Sequence, residues 1–287
     1  MLWNPDDLKS FLDRHTKDEN AKIVVITSGG TAVPLEKNCV RYIENFSNGT
    51  RGAISAEKFL ENGYLVIFFH RANSLQPYSH RFPDLFNHLK PAGENKFTVS
   101  DYPHLGEMIE RKHKYADRIL LLPFNSFDDY KNDLEYICHA CAGYKKRLCV
   151  YLAAAVSDFY IDAERLPEHK IQSADGGLNL KLTIAPKVLR RIVKDFVPEA
   201  FVVSFKLETD PSVLVEKSKK AIKEYGHQIV IANMLKTRKR RVTFIRANED
   251  PFPIDLDSPE FAEKADVEIE ELIIERLKKL HSNYCHV

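Results

Sequence analysis

An apolar run, KIVVIT (22–27), passes directly into SGGTAVPLE (28–36). Gly29 and Gly30 in that turn allow the backbone to approach a ligand closely, and the plain alternative is a tight turn. A second glycine-bearing stretch, NFSNGTRG (45–52), leads into a helix starting near Ala53. Small and polar residues just before a helix leave backbone N–H groups free at the positive end of its dipole, which is the make-up of an anion site. Two such loops at the carboxyl end of one sheet can together embrace a nucleoside triphosphate.

Polar groups close several other apolar runs. Ala153, Ala154 and Ala155 precede Asp158 where a strand should stop. Small side chains there let a substrate lie on the backbone, and the aspartate can hold a hydroxyl, an amide N–H or a metal. Its other reading is a cap or turn aspartate. Lys170, in a loop after His169, can swing over a bound phosphate or can be a solvated surface charge. Phe205 and Asn233 end two later runs and are able to stack on and hydrogen-bond a base, or to serve packing and a turn.

Some chemistries are excluded. There is no G-x-G-x-x-G, and YLVIFF (64–69) is followed by His70-Arg71 rather than by a ribose-binding acid, which counts against an NAD(P)-dependent oxidoreductase. Neither G-x-x-x-x-G-K-[ST] nor G-x-S-x-G occurs, so a P-loop and a hydrolase elbow are not expected. Cys138-His139-Ala140-Cys141 has no second pair at zinc spacing and lies in a helical pattern. The basic run TRKRR (237–241) reads as a solvated turn between strands.

These residues need a scaffold. Near-continuous apolar runs recur at 22–27, 64–69, 118–122, 148–156, 201–206, 228–232 and 242–246. Runs without alternation belong to strands covered on both faces, as in a parallel sheet. Helical patterns lie between them: 53–63 with Ala53, Ala56, Phe59 and Leu60 on one face, 211–226 opened by Pro211 and closed by Gly226, and a long one over 260–280. The alternation predicts an α/β fold, a three-layer, doubly wound, Rossmann-like sheet that is mostly parallel. A single domain over 1–287 is expected, with a long polar insertion at 70–117 that covers a site or meets a partner, and a β-hairpin flap at 167–185 turning at Asp175-Gly176-Gly177.

The 287 residues carry a formal net charge of +1, so no general basic field for nucleic acid is indicated. No apolar run approaches the roughly 20 residues that span a bilayer. Five unevenly spaced cysteines point to reduced thiols in the cytoplasm.

Taken in order, TSGGT with VPLE, VRYIENFSNGTRG, YLAAAVSDFY, EHKIQS, SFKLETDP and VIAN resemble the phosphopantothenate–cysteine ligase family in its eukaryotic form. The likeness runs from about residue 22 to 235, and the 70–147 region matches only in pieces such as RANSLQPYSHRFP. It implies a homodimeric enzyme of coenzyme A biosynthesis. Such an enzyme activates the 4′-phosphopantothenate carboxylate with ATP and Mg²⁺ through an acyl-nucleotide, then passes the acyl group to L-cysteine. It further implies that Gly29, Ser47, Gly49, Gly52, Phe205 and Asn233 bind the nucleotide. Asn45, Ala154, Ala155 and Asp158 would hold phosphopantothenate, with Arg41 reaching in from the other subunit. Asn45 and Lys170 are the implied catalytic residues, and of Lys217, Lys219, Lys220 and Lys223 one or two would face the triphosphate. A non-catalytic nucleotide-binding relative is the other reading.

Overall fold

The computed structural model describes residues 1–15, 18–100, 102–172, 176–261 and 267–286. The strands of the central sheet are β1 (Ile23–Ser28), β2 (Leu65–Arg71), β3 (Ile119–Phe124), β4 (Leu148–Leu152), β5 (Phe201–Glu208), β6 (Ile229–Met234), β7 (Arg241–Ile245) and β8 (Phe252–Asp255). Its helices are α1 (Pro5–His15), α2 (Thr50–Glu61), α3 (Leu105–Lys114), α4 (Phe127–Cys141), α5 (Pro211–Tyr225) and α6 (Ile269–His286).

The strands order as β8-β7-β6-β5-β4-β1-β2-β3. β1 to β6 pair in parallel, whereas β7 and β8 are added antiparallel at one edge. The chain therefore builds outward from β1 on one side and returns to build outward from β4 on the other. The β1–β4 junction is the switch point, where connections leave in opposite directions and a crevice opens beyond the carboxyl ends of the strands.

The unbroken apolar runs are explained by two-sided burial. Ile23 and Val25 face a core shared with α1 and α4, while Val24 and Ile26 face one shared with α2 and α6. A third, smaller cluster packs Leu214 and Ile222 of α5 on Val230, Ala232 and Ile245. The cysteines of the C-x-x-C pair lie buried in the first core, where burial drives the Cys138 thiol up to about 12 and leaves it inert.

Helix ends follow local chemistry. Asp210 caps α5 through the Ser212 amide, Pro211 opens it, and Gly226 closes it at φ 77°. Ser126 and Asp129 form a capping box on α4.

Four boundaries differ from the sequence expectations. The apolar run 148–156 leaves the sheet after Leu152, so its alanines form a wall rather than a strand. The last helix begins at Ile269. Residues 70–117 are not one loop: they hold a short ribbon, Leu89–Pro91 with Phe97–Val99, and the crossover helix α3. The start of that insertion clamps α2, with the Tyr78 amide, His80 and Arg81 all bonded to the buried Glu57 carboxylate, and Arg81 also to Glu268. Within 167–185 the turn falls partly on residues 173–175, outside the described residues. Thr183–Ile184 pairs antiparallel with Phe159–Tyr160, so the excursion is tied at its base to the segment after Asp158.

The first turn of α2 lies directly against the end of β1. A Cβ on Gly52 would come within 2.3 Å of Ser28 Oγ and 2.5 Å of Ser28 Cβ. Gly52→Ala should therefore lower stability by about 1–3 kcal/mol through overpacking. Gly143→Ala, where an added methyl meets nothing within 4 Å, serves as the control. Urea unfolding of both variants checks this, and equal midpoints would show that the helix can retreat from the strand at no cost.

Candidate active site

The crevice at the switch point is a cleft of about 720 Å³. One wall is Leu152–Asp158, held by pairing that continues past the strands. The Ala154 amide donates to Thr27 Oγ1 at 3.1 Å, the Ala155 amide to the Gly29 carbonyl at 2.8 Å, the Thr31 amide to the Ala155 carbonyl at 3.1 Å, and the Ser157 amide to Thr31 Oγ1 at 2.9 Å. Thr27 and Thr31 are themselves fully buried. The three alanines thus present a stiff, nearly bare backbone surface to the cleft.

The glycines are constrained by packing as well as by any ligand. Gly29 has φ +86°, and a Cβ there would lie 2.6 Å from Arg71 Cβ; one on Gly30 would lie 2.2 Å from the Asn45 carbonyl oxygen. Both are therefore required by the packing of the chain against itself. Gly49, at φ +87°, accepts a hydrogen bond from Ser28 Oγ and sits at the N-cap of α2. It offers no side-chain cap, and the first turn of α2 has no acidic residue. Ser47, Asn48, Thr50 and Arg51 line the cleft around that helix end, which favours an anion.

Seven of the expected residues meet on this one cleft: Asn45, Ser47, Ala154, Ala155, Asp158, Phe205 and Asn233. Phe205 stands edge-on to Tyr151, ring centroids 5.1 Å apart, and the Asn233 amide donates to the Lys206 carbonyl at 2.9 Å. Gly29, Gly49 and Gly52 are buried, Gly29 behind Ala155 and the other two against Ser28. Two residues lie elsewhere. Lys170 is exposed on the excursion after Asp158, and its carbonyl accepts from Gln172. Arg41 sits on the antiparallel ribbon Ala32–Pro34/Tyr42–Glu44, bound to Glu36 at 2.7 Å and to the Ile171 carbonyl at 2.8 Å. Among the α5 lysines, Lys217 is paired with Glu208, and none of Lys217, Lys219, Lys220 and Lys223 lines the cleft.

Residues not singled out from the sequence complete the lining. Lys187 pairs with Asp158 at 3.0 Å, and that hydrogen bond raises its pKa. Arg51 pairs with Glu270 at 2.8 Å, and Arg238 and Lys239 of the basic run face the same space. Burial raises the Glu270 carboxyl, partly offset by Arg51. Arg51 stood inside the glycine-bearing stretch already marked as an anion site. Nothing local to Lys187 or Glu270 signals a cleft.

Comparison with known proteins decides the family. Residues 135–275 match the family model described as DNA/pantothenate metabolism flavoprotein C-terminal domain. The chain is 40% identical over 277 residues to a human phosphopantothenate–cysteine ligase, covering 93% of this chain and 88% of that protein. It is 42% identical over 270 residues to the yeast (Saccharomyces cerevisiae) ligase CAB2, covering 83% and 72%. The chain belongs to the phosphopantothenate–cysteine ligase family.

That family consists of ligases that form an amide bond. The solved structure of a Cab2 mutant with phosphopantothenate-cysteine superposes with a TM-score of 0.86 at 41% identity, covering 98% of this chain and 93% of that one. A DNA/pantothenate metabolism flavoprotein from Streptococcus pneumoniae, at 20% identity and TM-score 0.63 and covering 92% of this chain and 100% of that one, shares the fold.

The ribbon carrying Arg41 depends on one carboxylate. Glu36 is fully enclosed, yet its carboxyl is held below its ordinary value. Burial pushes it up, and the Arg41 side chain with the Arg41 and Val40 amides more than offsets that. A carboxyl more acidic folded than unfolded contributes stability above its unfolded value, near 4.5, and loses it as pH falls through the lower folded value. Glu36→Gln should therefore destabilise the ligase at neutral pH and flatten the acid limb of its unfolding curve. Urea midpoints across that range test this, and an unchanged limb would remove Glu36 from the account.

Proposed function

We propose that this chain joins 4′-phosphopantothenate to L-cysteine in coenzyme A biosynthesis. ATP activates the carboxylate as an acyl-nucleotide, pyrophosphate leaves, and the cysteine amine displaces AMP to give 4′-phosphopantothenoylcysteine. The observation that carries the reading is the gathering of Asn45, Ala154, Ala155 and Asp158 with Ser47, Phe205 and Asn233 on a single switch-point cleft in a chain of this family.

The roles follow from chemistry. The open N-terminus of α2, with Ser47, Gly49 and Gly52, takes the phosphates. Phe205 stacks on the base and Asn233 bonds it. The alanine wall lets the pantothenate arm lie flat, with Asp158 accepting from its amide or hydroxyl groups. Asn45 donates to the acyl oxygen as it gains charge. Lys170 offsets charge on the reacting phosphate from the excursion tied down at Thr183–Ile184. No side-chain nucleophile is required, because both steps are displacements between bound substrates.

Mg²⁺ would enter on the triphosphate. Among the described residues there is no group of three or more His, Cys, Asp or Glu able to hold a metal. Mg²⁺ would keep waters and the substrate phosphates as its main ligands. When bound it neutralises phosphate charge. The domain is a single unit working in the cytoplasm on small molecules, and no helix among the described residues is long and apolar enough to cross a membrane.

The reading includes a homodimer. Val40, Tyr42 and Ile43 on the Arg41 ribbon and Phe46 beside it are exposed apolar residues, Phe46 to 89%. An isologous contact through that face would carry Arg41, which is outside its own cleft, toward the cleft of a second copy.

Pyrophosphate release should require ATP, phosphopantothenate and Mg²⁺, and cysteine should appear in the product. Asn45→Ala should lower kcat about 10²- to 10³-fold, as for other lost oxyanion donors, and Lys170→Ala should lower it with folding intact. Failure of the wild-type chain to release pyrophosphate with ATP or CTP would leave a non-catalytic nucleotide-binding relative. A mixing experiment tests the shared site. Arg41→Ala and Asn45→Ala chains, each impaired alone, should recover about a quarter of wild-type activity after subunit exchange, because one site in each mixed dimer is intact. No recovery would place Arg41 outside the partner's site.

A further inference from the structure

The two ends of the cleft differ in charge. Around Asp158 the lining is balanced by Lys187. Around Phe205 it holds Arg51, Lys206, Arg238 and Lys239 against one acid, Glu270. Arg51 is well enclosed, its side chain 16% exposed and that of Glu270 9%. It is also the most constrained. Nη1 donates to Glu270 Oε1 at 2.8 Å, Nη2 donates to the Arg238 carbonyl, and the guanidinium carbon lies 5.6 Å from the Phe205 ring centroid.

A carboxylate enclosed at the start of α6 is costly to keep charged, and an ion pair of this kind adds little net stability over apolar packing. What it does provide is geometry. A guanidinium carries five N–H donors in a rigid plane, so two protein acceptors fix its orientation and leave donors over. Those remaining donors belong to a side chain that lines the cleft at the first turn of α2, which holds no acidic residue.

We propose that Arg51 is the fixed cation that receives the nucleotide's phosphates at the Phe205 end of the cleft, and that Glu270 is its positioning residue. This rests on the nucleotide-dependent reading above and extends it to residues 219 positions apart in sequence. Arg51 acts on the nucleotide and not on phosphopantothenate, since its contacts are Phe205, Glu270 and the Arg238 turn, none of them at the Asp158 end. Glu270 acts only through Arg51.

The test uses the full chain as wild type, Arg51→Met, Arg51→Lys and Glu270→Gln. Affinity for Mg-ATP and Mg-CTP is measured by calorimetry, and KM for nucleotide and for phosphopantothenate by pyrophosphate release. Arg51→Met should weaken nucleotide binding about ten- to a hundredfold, as expected for a lost hydrogen bond to a charged group, and leave the phosphopantothenate KM nearly unchanged. Arg51→Lys should restore part of the loss. Glu270→Gln, which still offers an acceptor, should weaken nucleotide binding alone and by less.

Unchanged nucleotide affinity in Arg51→Met, or equal loss for both substrates, overturns the proposal. If Arg51→Met does not fold, Arg51→Lys and Glu270→Gln decide by the same split. A wild-type chain that ligates while the variants bind nucleotide normally overturns this inference alone. One that binds neither nucleotide overturns the reading beneath it as well.

Discussion

Everything at the cleft depends on pairing that outlasts the strands. β1 and β4 end at Ser28 and Leu152, yet Gly30 and Ala155 still bridge in parallel, and the buried hydroxyls of Thr27 and Thr31 take up the amides of Ala154 and Ser157. A backbone amide buried without a partner would cost about 1–3 kcal/mol. The two threonines therefore hold four residues of irregular chain as firmly as a ladder would. Because the sheet reverses direction between these same two strands, the stiffened wall lies where the crevice opens. Gly29 and Gly30 follow from this constraint: the turn runs so close to Arg71 and to the Asn45 carbonyl that no side chain fits.

Much of the fold was legible because buried parallel strands write themselves as unbroken apolar runs. β1, β2, β5 and β6 all fall within two residues of the runs that announced them. β8 was not legible. It is a short edge strand holding Pro253, with no continuous apolar run. The alanines after Leu152 were read as strand because small apolar residues continue the pattern, and only the threonine hydroxyls across the turn show where the ladder stops. The hairpin flap expected over 167–185 had a turn sequence in its favour; that turn falls partly outside the described residues, and Thr183–Ile184 pairs with Phe159–Tyr160.

At the site, legibility follows the range of the interaction. Asn45, Ser47, Asp158 and Phe205 stand at the ends of recognisable elements, so position along the chain already placed them near a sheet edge. Lys187 and Glu270 reach the cleft only through tertiary contacts, from a short turn before Val188–Arg191 and from the second residue of α6. The basic run is a turn over 237–240 that leads into β7, as its composition indicates, yet Arg238 and Lys239 line the cleft because β6 and β7 place that turn beside Phe205.

The charged pairs around the cleft divide by solvent access. Lys187 and Asp158 are 51% and 72% exposed, a regime in which a pair contributes about 0–1 kcal/mol and opens readily. That pair can part to admit a substrate at little cost. Arg51 with Glu270, and the enclosed Glu36 with Arg41, belong to the other regime, where losing one partner strands the other. The cleft lining thus holds exchangeable charge at Asp158 and fixed charge at Arg51, with a second fixed pair on the ribbon outside it. Arg41 joins the two patterns. Its guanidinium is anchored by the enclosed Glu36, but its side chain remains 39% exposed, next to the exposed Val40, Tyr42 and Ile43. An anchored cation beside an uncovered apolar face is suited to a surface that another molecule completes, since covering Val40, Tyr42 and Ile43 would desolvate Arg41 without requiring it to move.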